Sequence, residues 1–239
     1  MTTARSLAVW AFTWLYMLAA GMVSLPWLLI SRRLDFTYAL ARLGIRGLLA
    51  IAGIRITVTG REHLASAGAR ARLYMANHQS NLDPPILLSL LPGEIAFLAK
   101  RELFRVPLLG ILLRVGRLVP VDRANREAAR ASIASAAEAV RGGRPFLIFP
   151  EGSRSPSRQL LEFKKGPFYL AEHSGADVIP VAIQGSGDCM PKGQWRIRPG
   201  RVQVQVLAPI APEAWASSAD PRATLAALVR EHLSAAVRR

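Results

Sequence analysis

Residues 77–83 read Asn-His-Gln-Ser-Asn-Leu-Asp, which sets an imidazole, His78, five positions before a carboxylate, Asp83. A carboxylate on one imidazole nitrogen fixes the tautomer and raises the basicity of the other. Such a pair is a general base able to take a proton from a hydroxyl group. A continuous helix would defeat it, because five helical residues turn the two side chains roughly 140° apart. The residue before a proline avoids the helical region, so Asp83, followed by Pro84, is expected to cap a helix that starts there. A tight loop can then fold the carboxylate back toward the ring. The alternative is that Asp83 is only a cap and His78 only a loop residue.

A second stretch, Phe149-Pro150-Glu151-Gly152-Ser153-Arg154-Ser155, follows an apolar run and sets a glycine and two hydroxyls beside Arg154. Such a turn offers backbone N–H groups and a guanidinium fork to a phosphate. Lys164 and Lys165 follow within reach. Residues 116–123, GRLVPVDR, end another apolar run on Arg123, and Lys100 ends a further one. Any one of these charges alone reads as solvated surface. Together they recur at the ends of expected strands, where ligands gather in open α/β sheets.

The elements that must carry these residues are short. Ile54–Thr59 alternates with period 2. Leu73–Ala76, Ile95–Leu98, Leu118–Val121, Phe146–Phe149 and Val178–Ile183 are apolar runs bounded by polar or turn residues, and Val202, Val204 and Val206 alternate in an edge or half-buried strand. Helices are expected over Pro84–Leu91, Leu103–Arg114 (with Pro107 inside it), Ala124–Arg141 and Pro167–Ser174, and from Asp220-Pro221 onward. The last should turn Leu225, Leu228, Val229, His232 and Leu233 inward. Strands alternating with helices define an α/β domain.

Before that domain, residues 7–30 are almost wholly apolar and carry Trp10, Trp14, Tyr16 and Trp27, the aromatics that settle at membrane interfaces. Twenty-four such residues are long enough to cross a bilayer. Pro26 should kink a helix here. A second apolar stretch over residues 38–54, broken by Arg42 and Arg46, resembles an interfacial helix. Residues 1–53 therefore read as membrane-anchoring helices and residues 54–239 as the α/β domain. A cleaved signal peptide, a full span and a kinked helix embedded from one face all remain open.

The net charge is +15, from 31 basic and 16 acidic residues, which favours anionic partners. The arginines are spread along the chain rather than gathered in an arm, which argues against nucleic acid. Cys189 is the one cysteine, so no disulfide forms within the chain, as suits a reducing compartment. No His-Glu-x-x-His or Cys-x-x-Cys pattern is present, so neither a metal nor a cofactor is expected.

Four blocks in order carry a resemblance to the 1-acylglycerol-3-phosphate acyltransferase family: NHQSNLD, GRLVPVDR, FPEGSRS and VIPVAIQG, with Glu162-Phe163-Lys164-Lys165-Gly166 similar to the family's Phe-Lys-x-Gly. Ser153 stands where threonine is commoner and keeps the hydroxyl. The resemblance covers about residues 54–210 and implies a mixed sheet flanked by helices, the glycerolipid acyltransferase fold, behind a hydrophobic helical anchor. It implies His78 as base and Asp83 as its partner, with Arg123, Glu151, Gly152, Ser153 and Arg154 holding a phosphate-bearing acceptor. Lys100 and Lys164 are further phosphate candidates. The implied reaction moves an acyl group from acyl-CoA or acyl-carrier protein to a lysophospholipid, foremost lysophosphatidic acid, on the cytoplasmic face of a membrane. Backbone N–H groups near the 77–83 loop are expected to stabilise the oxyanion. Rival readings are an enzyme of the same fold with another lysolipid or glycerol-3-phosphate as acceptor, and a non-enzymatic basic protein anchored to the membrane. A covalent serine, Ser80 or Ser153, lacks the Gly-x-Ser-x-Gly elbow.

Overall fold

The period-2 alternation of residues 54–59 becomes strand β1 (Ile54–Thr59), and the apolar runs become β2 (Arg72–Ala76), β3 (Ala96–Lys100), β4 (Val119–Val121), β5 (Phe146–Ile148) and β6 (Asp177–Gln184), with β7 over Gly200–Val206. The computed structural model describes residues 2–65, 70–122 and 124–237, without the side chains of residues 65 and 126. Among these, seven strands form one sheet in the order β1-β7-β6-β2-β5-β3-β4. β6 and β7 pair antiparallel and the other neighbours pair parallel, so the sheet is mixed. β2, β3, β4, β5 and β6 consequently end on one edge, and both motif loops leave from it.

Helices are α1 (Thr2–Ser31), α2 (Asp35–Ala52), α3 (Glu62–Ala65), α4 (Asp83–Leu90), α5 (Leu109–Val115), α6 (Arg126–Arg141), α7 (Lys165–Ser174), α8 (Ser186–Cys189) and α9 (Pro221–Val237). They cover both faces of the sheet, which is why its central strands are apolar throughout rather than alternating. On one face Tyr74, Ile179 and Ile183 pack with Leu49 of α2 and with Ile86 and Leu87 of α4. On the other, Leu73, Met75 and Phe146 pack with α6, α7 and α9 through Ile133, Val140, Leu170, Leu225 and Leu233. Successive residues of β2 thus divide between the two cores, as a pleated strand requires.

One expectation needs correction. The helix expected over residues 103–114 is two pieces, a 3-10 turn at Arg101–Arg105 and α5, because Pro107 breaks the run and Leu108 turns to φ 60°. Helix α1 runs from Thr2 to Ser31 with Pro26 inside it. In α9 Leu225, Val229, Leu233 and Ala236 are buried, Leu228 packs part-buried against the same core, and His232 is part-buried, as expected.

Helix α1 is held along one side. Ser6 Oγ accepts from the Ile197 N–H at 2.9 Å, Trp10 Nε1 donates to the Trp195 carbonyl at 3.0 Å, and Gly21 lies beside Leu108. Gly44 of α2 admits the Tyr16 ring so closely that an added Cβ would fall 2.2 Å from it. The opposite side of α1 presents Leu7, Leu15, Leu18, Met22, Leu29 and Ile30 outward. This helix is long and apolar enough to cross a membrane by length and composition.

Candidate active site

The loop between β2 and α4 is built around one carboxylate oxygen. Asp83 Oδ2 accepts the backbone N–H groups of Gln79 at 2.7 Å and Ser80 at 2.8 Å and lies 2.8 Å from His78 Nδ1. Asp83 does not cap α4: Leu82 is the N-cap, and the Asp83 side chain turns backward into the loop it closes. That use of the carboxylate is what brings a residue five positions away against the imidazole. Asp83 is fully buried and His78 is 8% exposed. With Nδ1 committed to the carboxylate, Nε2 has no partner among the described residues.

The second motif grips the same loop. Glu151 Oε1 accepts the His78 backbone N–H at 2.7 Å, and Glu151 Oε2 accepts that of Leu161 at 2.8 Å. The Ser155 N–H donates to the His78 carbonyl at 2.7 Å. The His78 ring stacks on Phe149 with centroids 4.1 Å apart. His78 is therefore fixed in both main chain and ring by residues 149–155. Asn77 ties the loop to β6 from the other side, donating to the Ile183 carbonyl at 2.8 Å and accepting its N–H at 2.7 Å. Ser80 Oγ donates to the Met190 carbonyl, which leaves no serine nucleophile poised in this loop.

The candidate binding residues separate on this geometry. Glu151 is 2% exposed and both its oxygens serve backbone N–H groups, so it positions His78 and does not face an acceptor phosphate. Gly152 sits at φ 67°, where only glycine turns without strain, and Lys164 packs over it. Ser153 and Arg154 lie in the same turn, and the Arg154 guanidinium has no carboxylate partner among the described residues. Lys100 is on the same sheet edge but two strands from β2, about 10 Å laterally at ordinary strand spacing, and pairs with Glu102 at 3.4 Å. Arg123 lies outside the described residues. Sequence reasoning missed Lys192, whose Nζ reaches the Ser153 hydroxyl at 3.4 Å and the Arg154 carbonyl at 3.0 Å. Nothing in its spacing, 38 residues downstream of Arg154, marks it. The N–H groups of residues 78, 79, 80, 82 and 83 are bonded within the site, which narrows the expected oxyanion role to other N–H groups near the loop.

Burial pushes the Glu151 carboxyl up from its ordinary value, against the lowering effect of the Leu161 and His78 N–H bonds and with the nearby Asp83 charge. An upward shift means that the folded chain holds this proton more tightly than the unfolded one. Its stabilising contribution is present below the ordinary glutamate value and is lost as pH rises through the native value. Glu151→Gln should abolish that pH dependence. It should also set an amide NH2 against one buried N–H, costing about 1–3 kcal/mol in urea unfolding at neutral pH.

A cavity of about 410 Å³ opens beside the loop, between α1, α2, α4 and α5. Trp10, Ile45, Leu48, Leu88 and Phe97 line it, and Asn81 and Leu82 carry it to the catalytic loop. An apolar cavity, a buried imidazole–carboxylate pair with a free Nε2, and a cationic turn thus meet at one strand end. Fold and site together form an α/β domain whose arrangement can take a proton from a group bound beside an apolar cavity.

The acyltransferase family model matches residues 55–184, and the chain belongs to that family. It is 34% identical over 192 residues to a 1-acyl-sn-glycerol-3-phosphate acyltransferase of Limnanthes douglasii, covering 80% of this chain and 66% of that protein. It is 30% identical over 162 residues to the alpha form of the enzyme of that name from Ovis aries, covering 67% of this chain and 56% of that one. The chain thus spans somewhat less than two thirds of these curated relatives. The crystal structure of the 1-acyl-sn-glycerophosphate acyltransferase PlsC of Thermotoga maritima superposes with a TM-score of 0.84 at 28% identity, covering 100% of this chain and 97% of that one.

Proposed function

We propose that this chain transfers a fatty acyl group from an acyl thioester to the free sn-2 hydroxyl of lysophosphatidic acid, giving phosphatidic acid. The observation that carries the reading is the clamped His78, with Asp83 on Nδ1 and Nε2 free, set between an apolar cavity and a cationic turn. His78 Nε2 takes the hydroxyl proton as the acceptor oxygen attacks the thioester carbonyl. The C–O bond forms, the C–S bond breaks, and the imidazolium returns the proton to the departing thiolate. Asp83 offsets the charge on the ring while it is protonated. Arg154, with Lys164 and Lys192 beside it, holds the acceptor phosphate, and the apolar cavity takes an acyl chain. No metal enters this sequence of steps, and either acyl-CoA or acyl-carrier protein supplies the donor.

The membrane reading follows from α1. Its attachments at Ser6 and Gly21 are 15 residues apart, about 22 Å along a helix, so the α/β part flanks it over much of its length. A helix held that way enters a bilayer by its outer face only, and the site opens to the compartment that contains the donor.

The test is thiol release from an acyl-CoA with a panel of lysolipids in detergent, for the parent chain and Arg154→Ala. The parent should release thiol fastest with lysophosphatidic acid. Loss of a charge-assisted phosphate contact should lower kcat/KM for that acceptor by about 10–100-fold. If Arg154→Ala spares turnover, the acceptor carries no phosphate there. Absence of thiol release from the parent chain with every acceptor would overturn the reading.

A further inference from the structure

Beyond Gln79 lies a second and polar cavity of about 170 Å³, which the loop after β5 helps to close through Arg158. Gln79, Gln184, Gln203, Arg158, Asp188 and Arg201 line it. Strand order accounts for its position: β2 ends in the catalytic loop, and Gln184, Arg201 and Gln203 come from β6 and β7 on the side away from β5, to which the loop after β5 crosses through Arg158. Gly185, at φ 84°, lets the chain turn after β6 so tightly that an added Cβ would fall 2.3 Å from the Arg201 carbonyl. The cavity wall therefore reaches the catalytic loop directly, and Gly187 packs on the Gln79 side chain.

Gln79 is 6% exposed, yet its amide has no hydrogen-bond partner among the described residues. That amide opens onto the cavity and is free to hydrogen-bond with a ligand there. Gln184 uses its Nε2 on the Ala236 carbonyl, which leaves its oxygen to accept. Asp188 is held by Arg158 at 2.9 Å, and Arg201 has no acidic partner among the described residues. The cavity thus offers amides with both donors and acceptors, and one uncommitted guanidinium.

We propose that this cavity binds the phosphopantetheine arm of the thioester donor, the group that coenzyme A and acyl-carrier protein share. The glutamine amides pair with the amides of the arm, and Arg201 takes its phosphate. This rests on the proposed acyl transfer and deepens it, because it places the donor's polar arm at Gln79, next in the chain to His78. Arg201 then serves the donor phosphate, and Arg154, Lys164 and Lys192 serve the acceptor phosphate.

The experiment measures donor and acceptor kinetics of the full chain in detergent, for the parent and for Arg201→Ala. Arg201→Ala should raise KM for acyl-CoA and for acyl-carrier protein by about tenfold, with kcat and acceptor KM unchanged. A thioester of phosphopantetheine should outperform that of pantetheine in the parent by a similar factor and lose the advantage in the variant. Unchanged donor KM, a rise in acceptor KM instead, or no preference for the phosphorylated arm in the parent would each overturn the assignment. A loss confined to acyl-CoA would also overturn it, since the nucleotide rather than the arm would then be the ligand. Titration of coenzyme A by calorimetry needs no turnover, so it separates this proposal from the reaction. Binding that Arg201→Glu abolishes supports the cavity even if no acyl transfer is found, and no heat with the parent chain rejects it.

Discussion

His78→Ala is expected to lower kcat for acyl transfer by about 10²–10⁴-fold, the range that a positioned general base supplies. The residue that remains cannot accept the hydroxyl proton, and no second base replaces it: Glu151 is spent on two backbone N–H groups and Asp83 on two more. The fold should survive. Asp83 Oδ2 keeps both loop N–H groups, so the loop stays closed, and the loss of the ring's stacking on Phe149 costs about 0.5–1.5 kcal/mol. Steady-state thiol release and thermal unfolding, measured together, separate the two effects. Near-parental turnover in a folded His78→Ala chain would remove the base from the mechanism.

Asp83→Asn should cost kcat a comparable factor, about 10²–10⁴, by a different route. An asparagine oxygen in place of Oδ2 still accepts from Gln79, Ser80 and His78, so the ring keeps its place and its tautomer. What disappears is the negative charge that steadies the imidazolium while it carries the acceptor proton. The loss should therefore fall on kcat, with KM for donor and acceptor little changed. Asp83 Oδ1 has no hydrogen-bond partner among the described residues, so the amide nitrogen placed there is left unsatisfied, at about 1–3 kcal/mol of stability. The variant also removes a fully buried charge, which acts in the other direction. A collapse in KM rather than kcat would show that Asp83 shapes the binding site and not the transition state.

Much of the architecture was legible in the residues, because the strands are short apolar runs bounded by turns and the period-2 signal is local. β1 begins and ends where its alternation does, and α6 stops where Gly142-Gly143 breaks it. The less accurate expectation for residues 103–114 came from a segment in which Pro107 and the turn at Leu108 compete with an apolar helical pattern. Asp83-Pro84 illustrates a different difficulty. The local rule favours a cap, but the carboxylate gains more by gathering two N–H groups and an imidazole in the loop behind it, and that choice depends on burial that only the folded sheet provides.

The amino-acid order by itself determined which chemistry the chain can hold: an imidazole and a carboxylate in one loop, cations at strand ends, and a long apolar segment in front. Those are properties of residue types at fixed spacing, and they do not depend on packing. Tertiary structure alone decided which groups meet. It laid β5 beside β2, so that Glu151 and Ser155 hold the His78 backbone 73 and 77 positions away in the chain. It brought Lys192 to Ser153, left Lys100 two strands off, and opened one apolar and one polar cavity at the catalytic loop. Strand order is set by how the two apolar faces of the sheet are covered, a balance over the whole core that no single segment encodes.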